Sequence, residues 1–507
     1  MKIKTFLTQS RKAAEMQSKN LIKTFAPLRL CLFALILFVF NFGIFAQEQP
    51  PTPSAAKTVI IPAVKEKKLP NGLTVAVVER KNVPLVTIQL LIKSGAGSEN
   101  LAKAGLADMT ATLLTKGTTT RSATQIAEQI EFLGGSISTG AGWNSSFVTI
   151  NVMADKLDQA MAILADVVLN PSFKQEEIDL LKSQTLDGLA GSLKQPAFLA
   201  NYVASRYSFG EHPIGGTPQS IEIISREDII QSRNKYYYPK NSVLIFTGDI
   251  SASAANLLAS KFFRLWKNPN VTDYPSDSGA TTKSSETKIV KRLLVVNLPN
   301  SGQASVSYLK HIEGVGRKFA EFYPANVLNS VLGGGYSSRL NQEIRIKRGL
   351  SYGAGSSFNW RWSESNFGTR TQTKNVSAAE VAELVAAEIK KLTDSNIAAT
   401  ELNPRKLVLN GDFGRDLETT QGLADALADL YSFGLAASEL NSYIKSVQSV
   451  TDVQIRDFAK QNLLGGDIII VGDYAIFKDD LAKRFPNMAI EVIKADELDL
   501  SKANLRK

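Results

Sequence analysis

The stretch VLIFTGD at residues 243–249 returns 224 residues later as IIIVGD at residues 468–473. The tetrapeptide YSFG repeats at the same offset, at residues 207–210 and 431–434. Two landmarks that share one offset indicate a duplicated domain of about 220 residues rather than a solenoid of short repeats. Because the polar stretch 270–288 between the copies has the composition of an interdomain linker, the sequence predicts domains at 58–269 and 289–507.

Strand and helix signals are interspersed within each copy. Leu73, Val75 and Val77 alternate with their neighbours, as apolar residues do in a strand with one buried face. Ser122 followed by Gln125 predicts a capping box at the start of a helix. The pattern predicts an α+β fold of two homologous domains, each a mixed, mainly antiparallel sheet with helices packed on it.

Composition excludes several functional classes. The chain has 507 residues, of which 44% are hydrophobic, so it can bury a large core. The first 46 residues carry seven basic residues and one glutamate, which accounts for +6 of the net charge of +10. Without a dense basic tract elsewhere, we expect no nucleic-acid partner. The single cysteine, Cys31, lies in the same leader, so the mature chain has no disulfide, thiolate zinc site or cysteine nucleophile.

The leader has the organisation of an export signal. A basic segment precedes an apolar run at residues 30–46, which closes on Ala46 before a polar, proline-rich stretch at 47–57. This pattern predicts a signal peptide at 1–46 and a linker at 47–57. The run is shorter than the ~20 apolar residues of a membrane span, so we expect cleavage, no stable membrane association and a periplasmic or otherwise exported protein. An uncleaved leader would anchor the chain instead, and Met16 is an alternative start.

Several blocks carry a family resemblance. LPNGLTVAVVE at 69–79, GLADMTATLLTKGT at 105–118, LNPSF at 169–173 and YYYPKNSVLIFTGD at 236–249 occur in the order found in the pitrilysin/insulinase-like zinc peptidases. This family includes the mitochondrial processing peptidases and the core proteins of the respiratory cytochrome complex. The resemblance extends over nearly the whole mature chain.

The catalytic motif of that family is degenerate here. Active members carry His-x-x-Glu-His on a helix, where the two histidines bind Zn²⁺ and the glutamate activates the metal-bound water. The aligned positions hold Asp108, Ala111 and Thr112, and the third ligand position falls near Gly188. The resemblance therefore implies no metal in this chain. Only His212 and His311 remain, 99 residues apart, and we expect both to be structural or interface residues.

A second block of the family is retained in the second copy. LGGGYSSRL at 332–340 is followed by RIKRGLSY at 345–352. The resemblance implies that Arg345 and Tyr352 reach a zinc site in another domain or subunit, with Gly333, Gly334 and Gly335 in the substrate-binding segment. An arginine can hold a substrate carbonyl, and a tyrosine hydroxyl can stabilise an oxyanion. The alternatives are a plain helix-entry turn, a solvated arginine and a core or rim tyrosine.

Four functions are therefore weighed. The first is the non-catalytic, substrate-binding subunit of an exported heterodimeric zinc metallopeptidase, with zinc in a homologous partner and extended peptides as substrates. The second is a scaffold protein of the same fold, and the third a stand-alone peptide-binding protein without catalysis. The fourth is an enzyme with an unrecognised metal site built from Asp108 and other carboxylates.

Overall fold

The computed structural model describes residues 61–269, 292–502 and 504–507. The predicted signal peptide and both predicted linkers, 47–57 and 270–288, lie outside the described residues. Residues Ile60–Lys507 form one compact unit. Within it, we call the described residues up to 269 half 1 and those from 292 onward half 2.

Half 1 contains a six-stranded sheet whose order is β1-β2-β6-β3-β5-β4. Four of its five pairings are antiparallel, and β2 with β6 is the parallel pair. The strands are β1 Val64–Lys68, β2 Thr74–Glu79, β3 Leu85–Ile92, β4 Ser136–Ala141, β5 Ser146–Met153 and β6 Ser242–Gly248.

Half 2 contains a second six-stranded sheet, in the order β12-β7-β11-β8-β10-β9. Strand β7 pairs in parallel with both β11 and β12, and the other three pairings are antiparallel. The strands are β7 Leu293–Asn297, β8 Ala304–Glu313, β9 Ala354–Trp360, β10 Glu364–Thr373, β11 Asp467–Gly472 and β12 Ile490–Lys494.

Helices of the same half pack on one face of each sheet, which we call the inner face, and bury its apolar side chains. Those of half 1 are α1 Leu106–Leu113, α2 Ala123–Phe132, α3 Leu157–Leu169, α4 Gln175–Ser192, α5 Pro196–Tyr207, α6 Pro218–Ile223, α7 Arg226–Tyr236 and α8 Ala252–Phe263. Those of half 2 are α9 Phe322–Leu332, α10 Ala378–Asp394, α11 Ala399–Asp416, α12 Thr420–Ser432, α13 Glu439–Ser449, α14 Asp452–Asn462 and α15 Tyr474–Arg484. The predicted capping box of Ser122 and Gln125 is present at the start of α2. The predicted α+β fold of two homologous domains is confirmed.

The two sheets differ at one edge. Strands β2, β6, β3, β5 and β4 of half 1 match β7, β11, β8, β10 and β9 of half 2 in order. The remaining edge position is held by β1, the first strand of half 1, but by β12, the last strand of half 2. Strand β1 runs antiparallel to its neighbour, whereas β12 runs parallel to its neighbour. The duplication in the sequence therefore does not extend to this strand.

Each half also supplies one helix to the other. Helix α5 of half 1 packs on β8 and β11 of half 2, and helix α12 of half 2 packs on β3 and β6 of half 1. The contact on half 2 is apolar and includes Leu199, Val203 and Ile469. The contact on half 1 is partly polar, because the Thr247 hydroxyl donates to the backbone carbonyl of Thr420 at 2.6 Å. These helices cover the outer face of each sheet.

The helices of the described residues are too short or too polar to cross a lipid bilayer.

Candidate functional site

The segment that the sequence aligns with the family's zinc motif lies on α1 of half 1. Gly105, with a left-handed φ of 96°, precedes the helix, and Asp108 lies in its first turn. Ala111 is completely buried, whereas Thr112 is only part-buried. Gly188 lies on the exposed side of α4, and nothing is within 4 Å of the place where its Cβ would be.

Asp108 makes a contact between secondary-structure elements. Its Oδ1 accepts the backbone N–H of Ala141 at 3.3 Å, at the end of edge strand β4. Burial raises the pKa of the Asp108 carboxyl, which means that its surroundings disfavour the negative charge. Asp108 therefore joins α1 to the edge strand.

The side chains at the four aligned positions do not fit a catalytic zinc ion. Ala111 and Gly188 offer no donor atom, and a carboxyl with a threonine hydroxyl falls short of the usual three protein ligands. Within residues 61–269, 292–502 and 504–507, no group of three or more His, Cys, Asp or Glu side chains could hold a metal ion. We derive no catalytic step through a metal in this chain.

A buried carboxyl that the sequence analysis missed lies beside α1. Glu99 accepts the backbone N–H groups of Gly105 at 2.7 Å and Ala107 at 2.6 Å, and so caps the N-terminus of the helix. Burial raises the pKa of Glu99 to about 8, although these two hydrogen bonds oppose the shift. His212 Nδ1 lies 3.7 Å from Glu99, and burial lowers the pKa of His212. The sequence signal for this cap was an acidic residue a few positions before the helix.

The glycine-rich segment of half 2 ends α9 and leads into an unusual helix. The N–H groups of Gly333 and Gly334 both donate to the Asn329 carbonyl, which closes the end of α9. A Cβ at Gly333 would lie 2.3 Å from the backbone nitrogen of Ser356 on β9, so only glycine fits there. Gly335, in contrast, has open space around it.

The segment continues as a π-helix, Asn341–Ile346, which carries Arg345. The π-helix is rare and is found frequently at functional sites. The Arg345 guanidinium lies 4.9 Å from the centre of the Tyr336 ring, a cation–π contact at the surface. Tyr352 lies two residues before strand β9 and is 90% exposed. Within the described residues, no ion pair holds Arg345 and no hydrogen bond holds the Tyr352 hydroxyl.

The two halves also meet at their outer hairpins. The hairpin between β4 and β5 contains Trp143, and the hairpin between β9 and β10 contains Arg361. Arg361 lies over the Trp143 ring at 4.7 Å and binds the Glu211 carboxylate with two hydrogen bonds of 2.9 and 2.8 Å. The Asn366 amide donates to the same carboxylate at 2.8 Å. No sequence pattern predicts this ion pair.

The remaining histidine belongs to the same junction. His311 Nδ1 lies 2.8 Å from Asn366 Oδ1, and its Nε2 lies 3.5 Å from Glu364. Burial alone would lower the pKa of His311, but the hydrogen bonds to Glu364 and Asn366 outweigh it and raise the pKa. His212 is the residue next to Glu211, so both histidines of the chain lie near the contact between the halves.

The fold defines a two-domain, peptidase-like α+β protein. A family model described as Insulinase (Peptidase family M16) matches residues 74–205. A second, described as Peptidase M16 inactive domain, matches residues 224–407. The chain therefore belongs to the pitrilysin/insulinase-like peptidases of family M16, and the resemblance seen in the sequence is confirmed.

Relatives and solved structures agree with this assignment. The chain is 28% identical over 327 residues to an uncharacterized zinc protease of Rickettsia bellii, covering 64% of this chain and 76% of the relative. It is 24% identical over 365 residues to the uncharacterized zinc protease YmxG of Bacillus subtilis, covering 70% of this chain and 85% of the relative.

Two crystal structures share the fold. A peptidase M16 inactive domain from Pseudomonas fluorescens superimposes with a TM-score of 0.72 and 24% identity, over 81% of this chain and 98% of the other. A protease from Helicobacter pylori superimposes with a TM-score of 0.75 and 21% identity, over 81% of this chain and all of the other.

Proposed function

We propose that this chain is the non-catalytic, substrate-binding subunit of an exported, heterodimeric zinc metallopeptidase. The observation that carries the proposal is a contrast between the two halves. In half 1 two of the four aligned metal positions, Ala111 and Gly188, lack donors, and Asp108 accepts a hydrogen bond from Ala141. In half 2 one short segment carries a part-buried Arg345 without an ion-pair partner among the described residues and a Tyr352 that is 90% exposed.

Each of these two side chains suits a role at a partner's reaction centre. A guanidinium binds a peptide carbonyl through a planar pair of N–H donors. A tyrosine hydroxyl stabilises the oxyanion of a tetrahedral intermediate when it is held at the right distance. Because Tyr352 is 90% exposed, it needs a partner surface to become desolvated and effective. Zinc, expected in the partner subunit, would activate the attacking water there.

The substrate we propose is an extended peptide that pairs with an edge strand. Strand β4 is the outermost strand of its sheet and ends at Ala141, next to the degenerate metal positions. An exposed edge presents unpaired backbone N–H and C=O groups to which a peptide can add as a further strand. Asp108 would then act as a positioning residue for the end of this strand.

The first test is to purify the tagged chain from its native cell envelope and identify what co-purifies in near-equal amount. A homologous chain bearing His-x-x-Glu-His would provide the partner. In the assembled enzyme, we expect Arg345→Met and Tyr352→Phe to lower turnover of a fluorogenic peptide about 100-fold. Zinc content should stay unchanged.

The matched control is Arg348→Met. Arg348 lies three residues beyond Arg345, but its guanidinium pairs with Glu343, so it is already engaged within the segment. This variant should keep full turnover. Full activity of both test variants, or recovery of this chain only as a homodimer, would reject the proposal and favour a scaffold or a peptide-binding protein.

Export is a separate part of the proposal and rests on the leader alone. Fractionation of the source cells, with mass spectrometry of the mature N-terminus, tests it. A periplasmic protein that begins near residue 47 would support export with cleavage of the leader, whereas an intact leader in the membrane fraction would indicate an anchor.

A further inference from the structure

An open cavity of about 410 Å³ lies in half 2 beside the segment that carries Arg345. It is bordered by residues 337–347 and by helices α10 and α11, and the residues that line it are polar or charged. Its volume is within the range of about 300–1,000 Å³ that small-molecule sites occupy. Nothing in the family assignment or in the proposed function uses this cavity.

The charges around the cavity are unequal. Arg339 binds Glu401 through two hydrogen bonds of 2.8 Å. Lys391 pairs with the buried Glu388 at 2.6 Å. Glu343 forms ion pairs with Lys347 and Arg348. Each of the three lining carboxylates therefore already has a cationic partner. Four cationic side chains line the cavity, so one of them is left without an ion-pair partner among these carboxylates.

That fourth cation is Arg405 on α11, which is only 8% exposed. Its Nη1 donates to the Ser337 hydroxyl at 2.9 Å, and its Nη2 donates to the Ser337 carbonyl. Within the part of the chain that the structure describes, no carboxylate forms an ion pair with it. Burial lowers the pKa of Arg405, and the charge of Glu401, which is already bound to Arg339, opposes this shift only in part.

The duplicated fold does not require a cation here. Helix α4 of half 1 and helix α11 of half 2 are copies. Lys182 donates to the Glu222 carbonyl at 2.9 Å, and Lys406 donates to the Gln448 carbonyl at 2.9 Å. The residue before Lys182 is Leu181, which packs against the core of half 1, whereas the residue before Lys406 is Arg405. Half 2 therefore has a guanidinium where the same fold accepts leucine.

We infer that this cavity binds a small phosphoryl oxyanion, with Arg405 as its principal ligand and Lys391 at its mouth. Such an anion balances the excess positive charge through charge-assisted hydrogen bonds from a guanidinium and an ammonium group. Arg405 and Arg339 also hold residues 337–339, so a bound anion would stiffen the segment that leads to Arg345. The inference does not depend on the proposed function.

Inorganic phosphate and pyrophosphate are the probes. Titration calorimetry at constant ionic strength, with chloride as the control anion, measures their binding to the purified protein, and the melting temperature gives a second readout. We expect both probes to bind and to raise the melting temperature. Lys391→Met should weaken binding about tenfold, the effect of losing one charge-assisted hydrogen bond.

Arg405→Leu introduces the residue of half 1 and should abolish binding. Lys390→Met is the matched control, because Lys390 is the adjacent lysine on α10, pairs with Asp394 and does not line the cavity. No heat with the unmodified protein, or equal affinities in Lys391→Met and Lys390→Met, would overturn the inference. If Arg405→Leu fails to fold, the two lysine variants still decide the question.

Discussion

The hydroxyl of Tyr207, at the end of α5 in half 1, donates a hydrogen bond of 3.0 Å to the carboxylate of Glu491 on β12 of half 2. The copy of this residue 224 positions later is Tyr431 on α12 of half 2. Its hydroxyl donates a hydrogen bond of 2.5 Å to the carboxylate of Glu66 on β1 of half 1. Both acceptors lie on the edge strand that the duplication does not reproduce. The two copies of this tyrosine therefore each join the halves, and their acceptor carboxylates come from parts of the chain that are not copies of each other.

Removing either hydroxyl should weaken the contact between the halves. Tyr207→Phe and Tyr431→Phe should each lower the free energy of unfolding by about 1–2 kcal/mol, because each loses a hydrogen bond to a charged group. Urea denaturation measures the change. Tyr236→Phe is the control, since its exposed bond to the Ser98 carbonyl stays within half 1 and should cost less than about 0.5 kcal/mol. Equal losses in all three variants would contradict a special role for the two interhalf tyrosines.

The ion pair of Arg361 and Glu211 should contribute more to the free energy of unfolding than either tyrosine hydrogen bond. Their side chains are only 12% and 10% exposed, so Arg361→Met leaves a nearly buried carboxylate without its cation. We expect a loss of about 3–5 kcal/mol in urea denaturation. Arg415→Met removes an exposed pair with Asp412 and should change stability by less than about 0.5 kcal/mol. A loss below about 1 kcal/mol for Arg361→Met would show that Asn366 alone satisfies Glu211.

His311 should make stability depend on pH. Its folded-state pKa is raised by Glu364 and Asn366, with Glu211 also nearby. The stabilising contribution is therefore fully present below the unfolded pKa of about 6.5 and is lost as pH rises through the folded pKa. His311→Gln should cost about 1 kcal/mol near pH 5.5 and less near pH 8.5, as measured by denaturation at both pH values.

His212 gives the opposite expectation. Burial lowers its pKa, so its contribution is present above the unfolded pKa and is lost as pH falls through the folded pKa. The relative cost of His212→Gln should therefore be larger near neutral pH than in acid. The same pH trend for both variants would show that a more general effect of pH on the junction dominates.

Asp108 should behave as a hydrogen-bond acceptor rather than as a metal ligand. Because burial disfavours its charge, Asp108→Asn should change stability by less than about 0.5 kcal/mol, whereas Asp108→Ala should cost about 1 kcal/mol. Chelator should leave the melting temperature of the unmodified protein unchanged, and elemental analysis should find less than about a tenth of a zinc per chain. Stoichiometric zinc would revive the enzyme with an unrecognised metal site.

Two glycines of the glycine-rich segment provide a destabilising variant and its matched control. Gly333→Ala places a Cβ 2.3 Å from the backbone nitrogen of Ser356 and should cost about 1–3 kcal/mol. Gly335→Ala has free space and should leave stability unchanged or raise it by up to about 1 kcal/mol. Denaturation curves check both. If Gly335→Ala lowers turnover of the assembled enzyme at unchanged stability, it supports a substrate contact at this glycine.

The candidate site was predictable only in part. The loss of donors at Ala111 and Gly188 is visible from the sequence, because a zinc site on a helix needs particular residue types at fixed spacing. The exposure of Tyr352 and the steric need for Gly333 are not visible, because both depend on how β9 returns against the end of α9. Glu99 was missed because its two partners are backbone N–H groups, which leave no pattern of side chains.

By itself, the sequence determined the duplication, the α+β fold class, the helix start at Ser122 and the absence of His-x-x-Glu-His from the chain. These features depend on residue identity and on periodicity over short distances. In the structure, strands β6 and β11 are fully buried, so both faces of each sheet are covered there. Only the tertiary structure decided what covers them, which strand lies at each edge, that Arg361 pairs with Glu211 and which groups surround Arg405. Each of these contacts joins residues far apart in the chain, and local sequence patterns carry no information about such partners.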